Sequence, residues 1–339
     1  MRRHKMGIRI LKGGMMTTVQ DLGRYGYQSQ GFSVAGVMDV RSFKIANLLL
    51  DNPENEAVLE ITLIGPTLEF TSATIIAITG GDFRPQINGK PAKMYTAIYM
   101  HRGDILTFGG ARTGTRGYIA FSSYLDVPVV MGSRSTNIKC QIGGFKGRKL
   151  EDEDYISFRA KRRYLPYYLS RSLDLDEFDQ EKITLRVVMG PQEKMFTKEG
   201  RETFLNSEYT VTSEFDRMGC RLEGPFIAYK TTSDIISDGI AFGSVQVPSH
   251  GKPIILLADR QTTGGYAKIA TVVSVDIPKL VQRKTEQKVR FQAVSVEEAQ
   301  KLLADEMKEL NDFRSQIYTP CKEVLDCRLV AKRISTLFK

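Results

Sequence analysis

Short apolar runs dominate the chain, and few of them keep helical spacing. From Val58 onward they read Val58-Leu-Glu-Ile-Thr-Leu63, Thr74-Ile-Ile-Ala-Ile-Thr79, Ile98-Tyr-Met100, Ile105-Leu-Thr-Phe108 and Gly117-Tyr-Ile-Ala-Phe121. Between them stand Gly65-Pro66, Gly80-Gly-Asp82, Asn88-Gly-Lys-Pro91 and Arg102-Gly-Asp104. Strand-length runs punctuated by turn residues predict hairpins of an antiparallel barrel or sandwich. A second series opens at Ile183-Thr-Leu-Arg-Val-Val-Met189 and includes Tyr209-Thr-Val-Thr212, Ile254-Ile-Leu-Leu257 and Ile269-Ala-Thr-Val-Val-Ser-Val275. Asn88-Gly-Lys-Pro91 and His250-Gly-Lys-Pro253 each precede such a run, a faint echo between the two series.

Helical spacing is confined to two places. From Asp39 to Leu50, residues Phe43, Ala46 and Leu50 share a face, and Asp51-Asn-Pro53 stops the helix. Ser295-Val-Glu-Glu298 is a capping box, followed by an apolar stripe of Ala299, Leu303, Met307, Leu310 and Phe313. The expected organisation is a β-rich half with an early helix over 7–145, then a charged connector over 146–182. A second β half follows over 183–294, then a helix over 295–317 and a basic tail over 318–339.

Composition narrows the class. The 339 residues are 42% hydrophobic and 26% charged, as in a soluble globular chain of about two domains. No apolar run approaches the ~20 residues of a membrane span, and the basic start Met1-Arg-Arg-His-Lys-Met6 leads into no signal-peptide core. A cytoplasmic location is expected, with no membrane contact. The four cysteines and three histidines are scattered, without the spacing of a zinc site, so no metal is expected. The net charge of +9 gathers partly in Phe158-Arg-Ala-Lys-Arg-Arg-Tyr-Leu-Pro-Tyr-Tyr-Leu-Ser-Arg171. Glu151-Asp-Glu-Asp154 precedes it and dilutes the field, so a solvated connector is favoured over a nucleic-acid surface.

No phosphate-binding loop, nucleophile elbow or histidine triad is present, so chemistry falls to carboxylates, arginines, amides and backbone N–H groups. These concentrate in three places: Thr17-Thr-Val-Gln-Asp-Leu-Gly-Arg24 with Ala35-Gly-Val-Met-Asp39; Asp216-Arg217 with Arg221; and Gln246 with Asp259-Arg-Gln-Thr-Thr-Gly-Gly-Tyr266. Arginine forks onto an oxyanion, a neighbouring carboxylate orients it or serves as a base, an amide both donates and accepts, and paired glycines admit an anionic oxygen to backbone N–H groups. A local salt bridge and a hairpin turn are the plain alternative at each place. Asp216, Arg217, Asp259 and Arg260 are the catalytic candidates. Gln20, Asp21, Arg24, Met38, Asp39, Arg221, Gln246, Gln261, Thr262, Thr263, Gly264, Gly265 and Tyr266 are the substrate-binding candidates. Arg260 and the Gly264-Gly265 backbone are expected to face an anionic oxygen, with Asp259 and Gln261 holding the geometry.

Taken together, these segments resemble the biotin-dependent carboxyltransferase-domain family called allophanate hydrolase subunit 2. The resemblance rests on Thr18-Val-Gln-Asp-Leu-Gly-Arg24, Gly36-Val-Met-Asp39, Leu59-Glu-Ile-Thr-Leu63, Asp216-Arg-Met-Gly219, Arg221-Leu-Glu-Gly-Pro225, Gln246-Val-Pro248 and Leu257-Ala-Asp-Arg-Gln-Thr-Thr-Gly-Gly-Tyr266. It implies a mainly β fold of two related cyclophilin-like barrel halves. It also implies the ATP-dependent opening of the 5-oxoproline lactam to glutamate, as the C subunit of a 5-oxoprolinase. Companion subunits B and A are implied with it, and ATP with Mg shared with or bound by a partner. Two alternatives stay open: carboxyl transfer to a urea-like acceptor, and a non-catalytic antagonist of a kinase inhibitor. No Met-Lys-Met biotinylation sequence occurs, so biotin is expected only if another protein supplies it. The chain departs from the family pattern at Phe215, where a serine is usual, and at Val34-Ala35 and Tyr25.

Overall fold

Alternation of apolar and polar positions along Gly7–Lys12 places Ile8 and Ile10 inside and Arg9 outside, and the same logic builds the whole first half. A computed structural model describes residues 6–162, 164–175, 178–319, 331, 334 and 335. Its first strands are β1 (Gly7–Lys12), β2 (Met16–Gln20), β3 (Val58–Thr62), β4 (Thr67–Phe70), β5 (Thr74–Asp82) and β6 (Gln86–Ile87). They continue with β7 (Lys90–Pro91), β8 (Ala97–Met100), β9 (Ile105–Thr107), β10 (Thr113–Phe121) and β11 (Tyr155–Ser157). Two sheets result, ordered β11-β1-β4-β9-β6-β7 and β2-β3-β10-β5-β8. Ile8, Ile10, Leu68 and Phe70 of one pack with Val19, Ile61, Ile76 and Phe121 of the other. Helix α1 (Val40–Leu49) covers β5 and β10 and buries Phe43, Ile45, Ala46 and Leu49. Asp39 caps it, accepting the Ser42 N–H at 2.9 Å.

The second half comprises β12 (Lys182–Met189), β13 (Glu208–Phe215), β14 (Gly219–Glu223), β15 (Asp234–Gly239) and β16 (Ser244–Gln246). It continues with β17 (Ile254–Leu256), β18 (Thr263–Tyr266), β19 (Lys268–Val272) and β20 (Lys288–Ala293), with α2 (Lys198–Asn206) and α3 (Ile277–Val281) between strands. Seven of the strands close into a barrel, β12-β19-β16-β17-β14-β13-β20, sealed by the parallel pair β12–β20. Closure leaves that sheet no free edge. Leu185, Val187, Val211, Val245, Ile255, Ile269 and Phe291 fill it, and Met38 from the first half joins the same core. Strands β15 and β18 stand apart as a two-stranded ribbon.

The mainly β architecture expected from the sequence is borne out, with a difference between its halves. The second closes as a barrel, whereas the first is assembled from two sheets. The Asn88-Gly89 echo is the turn between β6 and β7, with both residues at positive φ (51° and 78°), the primed-turn geometry that Asn-Gly favours. Its counterpart has Gly251 at φ 71° before β17. Within residues 146–182, expected as a connector, Tyr155–Ser157 pairs with β1 and so belongs to the first half. Three basic residues beyond it are engaged: Arg159 with Glu56 at 2.6 Å, Arg162 with Asp51 at 3.0 Å, and Arg171 on the Pro166 and Leu49 carbonyls at 2.7 and 3.0 Å.

Helix α4 (Val296–Ile317) starts at Ser295 with the expected capping box. Its docking face is a correction to the expected stripe. Leu302, Glu306, Leu310, Phe313 and Ile317 turn inward, whereas Leu303 and Met307 are 41% and 55% exposed. Apolar side chains at both 302 and 303 allowed either register, and the 3.6-residue period through Leu310, Phe313 and Ile317 selects 302 and 306. Arg41 of α1 secures the helix, forking onto Glu309 at 2.9 and 3.0 Å and lying over Phe313. The basic tail beyond Thr319 lies almost entirely outside the described residues. Among the described residues, no helix is long and apolar enough to cross a membrane.

Candidate active site

Between β13 and β14, successive residues Asp216 and Arg217 do different work. Asp216 is exposed, and its Oδ1 accepts the N–H groups of Met218 (2.7 Å) and Gly219 (3.1 Å), which shapes the turn. Arg217 is buried. Its Nε and Nη2 fork onto Asp259 at 2.9 and 3.0 Å, Nη2 also donates to the Gly36 carbonyl at 2.6 Å, and Nη1 pairs with Glu60. Burial opposes the guanidinium charge, but Asp259 and Glu60 outweigh it and hold the group above its ordinary pKa.

Glu60 extends this network into the first half. Its Oε2 accepts the Met38 N–H at 2.8 Å and the Tyr118 hydroxyl at 2.9 Å, and that hydroxyl in turn accepts the Asp39 N–H at 2.8 Å. Burial, with Glu60 and Asp39 alongside, keeps Tyr118 protonated far above the usual phenol range. Gln282, after α3, donates to Asp39 Oδ2 at 2.8 Å and accepts the Thr115 and Arg116 N–H groups, both at 2.9 Å. Buried polar groups hold their energy only when paired. Here Arg217, oriented by Asp259, and Gln282 from one half pair with Glu60, Asp39, Gly36 and the β10 backbone of the other. This is a polar seam between the halves.

Beside the seam, the barrel strands β13, β14, β16 and β17 and the segment before β18 enclose a cleft of about 510 Å³. Asp216, Arg221, Gln246, Gln261 and Tyr266 line it, together with Phe215, Met218, Ile254 and Leu256. Glycine at 264 is a packing requirement. A Cβ there would fall 2.7 Å from Ile240 and 3.0 Å from the Gln246 amide nitrogen, with the Gln261 amide nitrogen at 3.5 Å. Absence of a side chain lets the two amides converge. Gln246 donates at 3.4 Å to the Tyr266 carbonyl, and Arg221 reaches Glu214 at 2.9 Å on the exposed rim. Phe215, in place of the family's usual serine, gives the cleft an apolar wall, and the Arg116 guanidinium of the first half lies 5.8 Å over its ring.

The structure thus sorts the candidates into groups. Asp216, Arg221, Gln246, Gln261 and Tyr266 come together at the cleft, with Thr263, Gly264 and Gly265 on β18 beside it and Thr262 just before that strand. Arg217 and Asp259 pair with each other in the seam and are not among the cleft-lining residues. Met38 is buried in the barrel core, and Asp39 is the cap of α1. Arg260 does not line the cleft with the Gly264-Gly265 backbone as expected. It donates to the Ile240 and Leu257 carbonyls, both at 3.1 Å, and lies over Phe242, so its guanidinium ties the loop to the barrel. Gln20, Asp21 and Arg24 are buried in the first half against the segment 133–136.

Sequence reading missed Glu60, Tyr118 and Gln282. A carboxylate inside the apolar run Val58–Leu63 was the available signal for Glu60. It also missed Lys268, whose 5%-exposed side chain pairs with Asp238 at 2.8 Å and ties the β15–β18 ribbon to the barrel.

A closed barrel joined through a buried polar seam to a two-sheet half, with an amide- and arginine-lined cleft, is the architecture of a carboxyltransferase domain. The sequence profile of the family described as carboxyltransferase domain, subdomain A and B, matches residues 30–293, and the chain belongs to that family. It is 34% identical over 308 residues to the C subunit of the 5-oxoprolinase of Escherichia coli, covering 89% of this chain and 96% of that protein. It is 30% identical to urea amidolyase of Lachancea kluyveri, covering 91% of this chain but 18% of that one. Among solved structures, the urea carboxylase of Kluyveromyces lactis superposes with a TM-score of 0.85 at 28% identity, covering 92% of this chain and 30% of that one.

Proposed function

We propose that this chain acts as the C subunit of a 5-oxoprolinase, within a complex that opens the 5-oxoproline lactam to glutamate. The observation that carries this reading is the end-to-end match to a bacterial protein of that name, 89% of one chain on 96% of the other. The cleft suits a small cyclic amide. Gln246 and Gln261 offer a donor and an acceptor each, which a lactam N–H and C=O complement. Arg221 at the rim stabilises charge developing on the lactam oxygen. Asp216 has Oδ1 engaged in its turn, leaving Oδ2 to receive a proton.

ATP supplies the driving force for opening a stable amide. The nucleotide and its magnesium are taken to be shared with or bound by a partner, the A or the B subunit, in a cytoplasmic complex. Mixing the purified chain with the matching A and B subunits tests this. The expected result is ATP hydrolysis that depends on 5-oxoproline and on all three chains. An assembled complex without such turnover would remove the reading.

A second reading is favoured by the 30% identity to urea amidolyase: carboxyl transfer to a urea-like acceptor, with biotin on another protein. Transfer of label from a carboxylated carrier to urea, in place of 5-oxoproline turnover, would establish it.

A further inference from the structure

Val245, Val247, Ala267 and Ile269 fill the barrel interior, so alternation turns Gln246 and Lys268 to its outer face. The two are register partners on β16 and β19, which sets their side chains next to each other. Both are buried even so, because the β15–β18 ribbon lies over them.

Among the described residues, no strand ladder joins this ribbon to the barrel. Along β15 only Ile235 is part-buried, and Ile236 is 95% exposed. Little apolar packing holds the strand, so polar contacts fix where it lies. Asp238 makes the chief one. Its Oδ2 accepts the Lys268 ammonium at 2.8 Å and the Gln192 amide at 3.3 Å, while Gln192 Oε1 accepts the Lys268 N–H at 3.2 Å. The ammonium beside it holds the Asp238 carboxyl below the ordinary aspartate range. A buried ammonium has to be paired, and the pairing draws the ribbon onto the barrel at this point.

Asp238 is also the register partner of Gly264. Gly264 is the residue whose missing side chain lets the Gln246 and Gln261 amides converge. Tyr266, two residues before Lys268, lines the same cleft. A displacement of Asp238 therefore displaces the strand that stands between the two amides.

We propose that Lys268 and Asp238 are positioning residues, a clasp that fixes the ribbon on the barrel and so sets the spacing of the Gln246 and Gln261 amides. The pair acts through Gly264. Its effect on turnover rests on the function proposed above, whereas its hold on the ribbon does not.

The two partners differ in what their loss leaves behind. Asp238→Asn strands a buried ammonium, whereas Lys268→Met keeps the bulk and leaves Asp238, 53% exposed, to water. Lys268→Met is thus the variant expected to fold. In hydrogen exchange on the full chain, it should speed exchange over 234–239 and 263–266 about tenfold, with the barrel strands unchanged. Lys268→Arg, which keeps the charge, should restore part of the protection. In a verified complex with the A and B subunits, Lys268→Met should raise KM for 5-oxoproline about tenfold and change kcat by less than about twofold, as when binding geometry alone is loosened. Unchanged exchange in the ribbon, a rise spread evenly over the barrel, or a loosened ribbon with unchanged KM would each overturn the clasp. If the wild-type complex turns over no 5-oxoproline, the functional reading falls, and ribbon exchange still decides whether the clasp exists.

Discussion

At the scale of single residues, Arg217 and Asp276 show how pairing, rather than residue type, sets a role. Replacing Arg217 by Met would leave Glu60 and Asp259 buried without their shared cation. Breaking such a pair typically costs about 3–5 kcal/mol, and urea denaturation should show a loss of that order. Asp276 is fully buried, and it accepts the Arg186 guanidinium at 2.6 and 2.8 Å and the Arg186 N–H at 2.8 Å, with Lys279 also at 2.8 Å. Burial alone would raise its pKa, but these partners outweigh burial and hold the carboxyl below the ordinary aspartate range. A depressed folded pKa stabilises in full above the unfolded value, about 4, and that contribution is lost as pH falls through the folded value. Denaturation midpoints of the wild type and Asp276→Asn should therefore differ most near neutrality and converge below about pH 4. The sequence showed that Asp216, Arg217, Asp259 and Arg260 were unusual neighbours. It did not show which pointed to solvent and which to a partner some forty positions away, because adjacent residues in a turn diverge by backbone geometry alone.

At the scale of elements, the clearest sequence signals were local ones. The Asp39 cap, the Ser295 capping box and the Asn88-Gly89 turn each act within a few residues, so their chemistry is written where it acts. Ser295→Ala should cost about 1 kcal/mol, read as a fall in melting temperature without change of fold. The inward face of α4 was less legible, since Leu302 and Leu303 are equally apolar and only the phase set further along by Leu310, Phe313 and Ile317 separates them. Met307→Gln, on the exposed face, should change stability by no more than about 0.5 kcal/mol. The closed barrel was not legible at all as a closure: the parallel pairing of β12 with β20 joins residues about a hundred apart, and alternation within one strand does not name its neighbour.

For the whole molecule, the polar seam makes the two halves one unit beside the cleft. The substrate candidates were legible as a set of residue types, and five of the site candidates do meet around one cavity. Under the proposed function this cavity holds the amide of the substrate. Gln246→Leu probes that placement, because the side chain is buried, Leu is of similar bulk, and both amide hydrogen-bonding atoms are removed. In a complex with the A and B subunits whose assembly has been verified, kcat/KM for 5-oxoproline-dependent ATP hydrolysis should fall about ten- to a hundredfold, as expected when a buried substrate hydrogen bond is removed. An unchanged kcat/KM in the intact complex would contradict the claim and place the amide elsewhere.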